Sequence, residues 1–251
     1  MDSEGVLVVP GPKELNNCKP LLETINNPPE FLNPKGALTL GGFGALAIPS
    51  SFHHPNIRFI RKKVYKLVKP ILKPLFPNHS RLELLFDRVS VRRVGTSTSA
   101  ESWHRDVCPV SLPDDIILGG WINLDPDGSP NQKFSCSPGT HNDKPDDKTG
   151  FAKTKIVPTI KKIYEVPPGH IILFHQNILH EVKSQKAKFE SHRLYLGWRL
   201  TNSEKPLFDH SKIIDTQGVP KIPSGQIPPM YAKLHMVNHK HMIDEIKLMK
   251  K

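Results

Sequence analysis

Short runs of alternating apolar and polar residues, separated by turn-forming residues, dominate the chain from residue 82 onward. Runs of this length and period are typical of β-strands that bury one face. They predict strands at 84–94, 116–124, 133–137, 160–166, 170–174, 180–182 and 193–200, with an opening strand at 5–10. The 25 prolines and 16 glycines favour many short elements joined by turns over a helix bundle. The predicted architecture is therefore an antiparallel sandwich or jelly roll.

A different period marks the N-terminal third, where apolar residues between Ile57 and Ile71 recur every three or four positions. This spacing predicts an amphipathic helix over 56–75 that breaks at Pro70 or Pro74. A short helix is also predicted at 16–26, loop and strand at 36–49, and a basic helix at the end of 230–251. For 251 residues we predict one domain, with a helical and loop support region at 1–81, a β core at 82–200 and a C-terminal extension at 201–251.

The predicted helix at 56–75 concentrates part of the positive charge of the chain, whose formal net charge is +11. A solvated helix face is the simplest interpretation of such a run of basic residues. The alternative is an anionic partner, such as nucleic acid, an acidic substrate or an acidic protein surface, docking between Ile57 and Lys69. The basic residues are Arg58, Arg61, Lys62, Lys63, Lys66, Lys69 and Lys73.

Cysteine usage and the first residues bear on the cellular compartment. The three cysteines, Cys18, Cys108 and Cys136, form no CxxC pair and no zinc-finger spacing. The start MDSEG is acidic where a signal peptide is basic, and no apolar run approaches the roughly 20 residues that a bilayer requires. We therefore expect a reduced, cytoplasmic protein without a membrane span.

The first candidate for a metal site is the sequence SWHRD at 102–106. In a β-strand, residues two apart point to the same face, so His104 and Asp106 offer an imidazole nitrogen and a carboxylate oxygen to one point. The run at 168–180 supplies a third ligand, because it contains both His175 and His180. Two histidines and one carboxylate on one face of Fe(II), with other positions open, are the ligand set of non-haem oxygenases.

Five segments extend this pattern in order: WHRD at 103–106, GWINLD at 120–125, SPGTH at 137–141, PGHIILFH at 168–175 followed by His180, and HRLY at 192–195. Together they resemble the phytanoyl-CoA dioxygenase-like proteins, which are Fe(II)- and 2-oxoglutarate-dependent oxygenases. The resemblance covers roughly residues 82–200. It implies a mainly β fold with flanking helices, namely a double-stranded β-helix or cupin-like jelly roll. It also implies Fe(II), 2-oxoglutarate and dioxygen as cofactors, with ascorbate as the reductant.

By this resemblance His104, Asp106 and His180 hold the iron. His175 remains an alternative third ligand, but it continues an apolar strand, whereas His180 follows a short connection into the next strand. Departures from the family pattern at His170 and at 128–132 fall on turns and leave the candidate ligands intact.

By the same resemblance Arg193 pairs with the distal carboxylate of 2-oxoglutarate, for which its planar fork of donors is well suited. Trp121 and Tyr195 are expected to line the cosubstrate pocket. Arg199 competes with Arg193 because both lie on the same alternating face of one predicted strand.

The resemblance implies a hydroxylase whose substrate the residues do not identify, with a small molecule favoured. Asp106 argues against the halogenating branch of the fold, which replaces this aspartate by a small residue. Two other classes stay open. One is a non-catalytic structural or interaction module on the same fold, and the other is a nucleic-acid- or protein-modifying oxygenase that docks through its basic helix.

Overall fold

A computed structural model describes residues 1, 3–15, 38–40, 55–95, 101–106, 114–143, 152–153, 157–183 and 185–204. In these ranges helix α1 spans Pro55–Leu75, and short 3-10 turns lie at Lys13–Leu15 and Thr140–Asn142. The strands are β1 (Val6–Pro10), β2 (Leu38–Leu40), β3 (Arg81–Arg92), β4 (Glu101–Arg105), β5 (Ile116–Asn123), β6 (Gln132–Ser137), β7 (Ala152–Lys153), β8 (Lys162–Val166), β9 (His170–His175), β10 (Leu179–Val182) and β11 (Ser191–Thr201). None of the described helices has both the length and the apolar character needed to cross a bilayer.

The strands form two antiparallel sheets. The larger sheet has the order β1-β9-β5-β11-β3-β2, and the smaller has the order β7-β4-β10-β6-β8. From β3 to β6, and again from β8 to β11, successive strands alternate between the two sheets. This winding is that of a double-stranded β-helix, so the predicted fold class is confirmed.

Two apolar layers flank the larger sheet. On one side, Leu118, Leu173 and Leu196 pack against helix α1. On the other side, Trp121 and Phe174 pack against residues of the smaller sheet, including Phe134 and Cys136. The alternation predicted from the sequence therefore separates a helix-covered face from an interior face between the sheets.

Helix α1 corrects one prediction, because it continues through Pro70 to Leu75 instead of breaking at Pro70. An internal proline costs a helix about 3 kcal/mol. Val64, Val68 and Leu72 are completely buried against the larger sheet. Burial of each such side chain contributes roughly 1.5–3 kcal/mol, which together outweighs the penalty. The other proposed break, Pro74, lies in the last turn, close to where the helix ends.

Every strand predicted from the alternating pattern is present, with ends that lie within three residues of the predicted ones. The lysines at 66, 69 and 73 on helix α1 are exposed, as a solvated face requires. An anionic partner at this helix stays a prediction. The helices predicted at 16–26 and 230–251 lie outside the described residues.

Candidate metal centre

His104 and His180 face each other across the smaller sheet. His104 is on β4 and His180 is on β10, and the antiparallel register pairs the two residues directly. Direct cross-strand partners have Cβ atoms about 4.5–5.5 Å apart, so the register alone brings the two side chains together. Their ring centroids are 4.2 Å apart, and the residues are 1% and 6% exposed.

Asp106 completes a cluster of three potential ligands. Its Oδ1 lies 3.8 Å from Nε2 of His104, and its Oδ2 lies 3.7 Å from Nε2 of His180. The residue follows the end of β4, where its backbone N–H donates to the carbonyl of Gln176 at 3.0 Å. The ligand atoms of the three residues all lie within 4.8 Å of one another, so His104, Asp106 and His180 could hold one metal ion.

Both histidines direct Nε2 into this cluster because Nδ1 is hydrogen-bonded elsewhere. Nδ1–H of His104 donates to the carbonyl of Ser102 at 2.7 Å, and Nδ1–H of His180 donates to the carbonyl of Ile178 at 3.0 Å. Metal-binding histidines commonly donate their second nitrogen in this way, which fixes the tautomer and the ring orientation. Burial lowers the pKa of His180, although Asp106 acts in the opposite direction. The neutral imidazole is the form that binds a metal.

His175 lies away from this cluster. Its neighbour on β9, Phe174, points into the interior with its ring 5.6 Å from that of His180. Because successive residues of a strand point to opposite faces, His175 is directed to the other side of the sheet. There its ring lies 5.4 Å from that of His141, and burial together with His141 lowers the pKa of His175 to about 4.

Arg193, Trp121 and Tyr195 come together on the interior face of the larger sheet. The guanidinium carbon of Arg193 lies 4.6 Å from the centre of the Trp121 ring, and Nη1 donates to the hydroxyl of Tyr195 at 3.3 Å. The ring of Phe134 is 5.5 Å from Trp121 and 5.5 Å from His180. Phe134 therefore lies between the arginine group and the histidines, as does Phe174, whose ring is 6.1 Å from that of Trp121 and 5.6 Å from that of His180.

Arg199 has a different environment, although it shares a face of β11 with Arg193. Its Nε donates to Oδ2 of Asp115 at 2.7 Å, and both side chains are 2% exposed. This guanidinium already has a carboxylate partner. By contrast, the hydrogen bonds that Arg193 makes within the described part of the chain go to neutral groups.

A buried polar network beside Arg193 was missed in the sequence. The amide nitrogen of Gln132 donates to Oδ1 of Asn123 at 2.9 Å and to Oδ2 of Asp125 at 2.7 Å. Its carbonyl oxygen consequently faces Arg193 and accepts a hydrogen bond from Nε at 2.6 Å. Asn123 and Asp125 lie in the GWINLD segment, but nothing in the sequence marks Gln132 as their partner.

Arg92 was also missed. It pairs with Ser191 in the β3–β11 register, which places it diagonally across from Arg193 on the same face of the sheet. Burial lowers the pKa of Arg92, and the positive charge of Arg193 lowers it further. Only the register between distant strands brings these two cations together, so no local pattern predicts the pair.

The donor set fits a divalent transition metal, because imidazole nitrogen and carboxylate oxygen are both ligands that Fe(II) accepts. Trp121, which contacts Arg193, also has unused hydrogen-bonding capacity: its Nε1 is buried and has no hydrogen-bond partner among the described residues. An unpaired buried donor costs about 1–3 kcal/mol, so a ligand oxygen within reach of Nε1 would relieve that cost.

No family model and no curated protein matches the chain. Several solved structures, however, resemble this chain in fold. EvdO2 from Micromonospora carbonacea var. aurantiaca, complexed with 2-oxoglutarate, is 14% identical with a TM-score of 0.51, over 82% of this chain and 92% of that chain. SnoK, a non-haem alpha-ketoglutarate-dependent carbocyclase from nogalamycin biosynthesis, is 14% identical with a TM-score of 0.52, over 79% and 81%. At this level of identity the likeness shows the fold, and it agrees with the jelly roll described above.

Proposed function

We propose that this protein is an Fe(II)- and 2-oxoglutarate-dependent dioxygenase that hydroxylates a small molecule. The observation that carries the proposal is the cluster of His104, Asp106 and His180, joined through aromatic rings to an interior arginine, Arg193, whose described hydrogen bonds go to neutral groups. EvdO2 binds 2-oxoglutarate and SnoK depends on it, which supports the same cofactor for a chain of this fold. The phytanoyl-CoA dioxygenase-like subfamily remains part of the proposal.

In the proposed site, His104, Asp106 and His180 hold Fe(II) through two Nε2 atoms and one carboxylate. When bound, the iron and 2-oxoglutarate supply the activation of dioxygen that breaks a substrate C–H bond. The protein contributes a fixed ligand geometry, since both Nδ1–H groups are held by backbone carbonyls. Burial of both histidines keeps bulk water from the ligand atoms.

Arg193 is assigned to the distal carboxylate of 2-oxoglutarate. Gln132 and Trp121 hold its guanidinium from two sides, through a hydrogen bond to Nε and a ring contact, and leave donors for two parallel hydrogen bonds to a carboxylate. Tyr195 and Trp121, whose Nε1–H has no partner among the described residues, lie next to this guanidinium and are assigned to the same cosubstrate site. Arg92 adds a second positive charge that favours a dianionic cosubstrate.

Binding of metal and cosubstrate provides the first test. Under anaerobic conditions we expect one Fe(II) per chain, and we expect 2-oxoglutarate to raise the melting temperature of the iron-loaded protein. A ligand at 100 times its Kd stabilises the folded state by about 2.7 kcal/mol. If the wild type binds iron but gains no stability from 2-oxoglutarate, a non-catalytic module on the same fold becomes the better explanation.

Activity provides the second test. With Fe(II), ascorbate and 2-oxoglutarate, the wild type should release succinate, and a correct substrate should raise the rate and gain the mass of one oxygen. Screening small molecules, acyl-CoA esters, nucleic acids and peptides by succinate release separates the substrate classes. Asp106→Ala is the control, because equal succinate release by this variant would assign the signal to a contaminating enzyme.

A further inference from the structure

Glu101 is a second carboxylate that the fold directs toward the candidate metal ligands. The β10–β4 register pairs His180 with His104 and Val182 with Glu101, so two steps along β10 correspond to three along β4. His180 and Val182 share a face of β10, and direct cross-strand partners share a face as well. Glu101 and His104 therefore point to the same side, although an odd spacing in a regular strand would separate them. Bulges of this kind re-aim side chains next to active sites.

The distances agree with this register. Oε2 of Glu101 lies 3.7 Å from Nε2 of His104, almost the same distance as the 3.8 Å to Oδ1 of Asp106. Nε2 is the nitrogen of His104 that faces the cluster, since Nδ1 is directed to the carbonyl of Ser102. Glu101 is thus within reach of the atom that the metal would bind.

Glu101 is more exposed to solvent than Asp106. Its side chain is 43% exposed, whereas that of Asp106 is 26% exposed. Glu101 also falls outside the group whose ligand atoms all lie within 4.8 Å of one another. Three ligands are therefore gathered by the fold, and a fourth carboxylate stands beside them on a longer and more accessible side chain.

We propose that Glu101 is a displaceable fourth protein ligand, which binds the metal in the absence of cosubstrate and leaves when 2-oxoglutarate binds. The inference rests on the proposed function. Two carboxylates and two neutral imidazoles balance the charge of a divalent cation. A carboxylate that remained on the metal would occupy a position that the cosubstrate needs and would repel its negative charge. Glu101 should therefore strengthen metal binding and weaken cosubstrate binding.

The test compares Glu101→Gln, which removes the charge and preserves the size, with the wild type. Mn(II) binding is followed through the EPR signal of the free ion, and 2-oxoglutarate binding to the Mn(II)-loaded protein is followed by calorimetry. We expect Glu101→Gln to weaken Mn(II) binding by about 10-fold, within the range for groups that support a metal site, and to tighten 2-oxoglutarate binding. Glu101→Asp keeps the charge on a shorter side chain. It should also weaken Mn(II) binding and tighten 2-oxoglutarate binding, but by less than Glu101→Gln.

Glu181→Gln is the matched control. Glu181 is adjacent to His180 on β10 but points to the opposite face, where its Oε1 accepts a hydrogen bond from Ser135 at 3.1 Å. Glu181→Gln therefore removes the same charge from a residue next to a candidate ligand, but on the face of β10 that points away from the cluster. The inference fails if Glu101→Gln behaves like this control, or if it loses affinity for both ligands. Absence of Mn(II) binding in the wild type would overturn the proposed function itself.

Discussion

His180 and His175 are close in sequence but have opposite environments, which makes them a direct test of the ligand assignment. His180→Ala removes one of three clustered ligands, so we expect it to lose most of the bound Fe(II). His175→Ala removes a ring that contacts His141 on the other face of the sheet, and metal occupancy should remain near that of the wild type. Metal content after anaerobic loading and desalting measures both. If His180→Ala retained iron and His175→Ala lost it, the third metal ligand would be His175 and not His180.

The roles of Arg193 and Arg199 can be distinguished by replacing each with alanine and comparing the effects on cosubstrate binding and on folding stability. Arg193→Ala should abolish the thermal stabilisation by 2-oxoglutarate, because the anion loses its bidentate partner. Arg199→Ala breaks the buried ion pair with Asp115, and removing one partner of a buried pair typically costs 3–5 kcal/mol. Urea unfolding should therefore reveal a destabilised Arg199→Ala that still responds to 2-oxoglutarate. If the cosubstrate instead stabilises Arg193→Ala and not Arg199→Ala, the distal carboxylate belongs to Arg199.

At the scale of elements, the network between β5 and β6 should govern how well Arg193 is oriented. Gln132→Ala removes the acceptor of the Arg193 Nε hydrogen bond and leaves Asn123 and Asp125 without a shared donor. We expect about a 10-fold loss of 2-oxoglutarate affinity, corresponding to roughly 1.4 kcal/mol, and little change in metal affinity. Calorimetric titration of each ligand measures the two effects separately. Equal losses for both ligands would indicate a general structural role.

Local patterns account for most elements of this fold. The alternating runs predicted the strands that carry His180 and Arg193, because one buried face imposes a period of two on the sequence. The extra residue in β4 was not predictable, since a bulge depends on how two distant strands pair. For the same reason Glu101 and Arg92 were missed. Helix α1 passes Pro70 because tertiary burial outweighs local propensity.

At the scale of the whole molecule, His175 should make stability depend on pH. Its pKa is lowered from 6.5 to about 4 in the folded state, chiefly by burial. Between these values the unfolded chain binds a proton that the folded chain does not, so stability falls as pH decreases from 6.5 to about 4 and then levels off. Above pH 6.5 this residue contributes no pH dependence.

His175→Gln tests this by removing the titrating group. Denaturant unfolding of the metal-free protein, repeated across this pH range, should give a shallower loss of stability for the variant than for the wild type. His170→Gln is a suitable control, because His170 is also a partly buried histidine of β9. An unchanged slope in His175→Gln would assign the pH dependence to other groups.

The pairing of β1 with β9 has a consequence for the order of folding. Val6 pairs with Phe174 and Pro10 with His170, while Glu4 accepts a hydrogen bond from Lys162, 158 positions away. During synthesis the first strand must wait until most of the described chain has been made before its partner exists. Contacts between such distant segments incur a large loop-closure entropy, and proteins rich in them fold slowly. Strand β1 is therefore translated long before its partner β9 but joins the sheet late, and until then its backbone N–H and C=O groups are open to pairing with other chains.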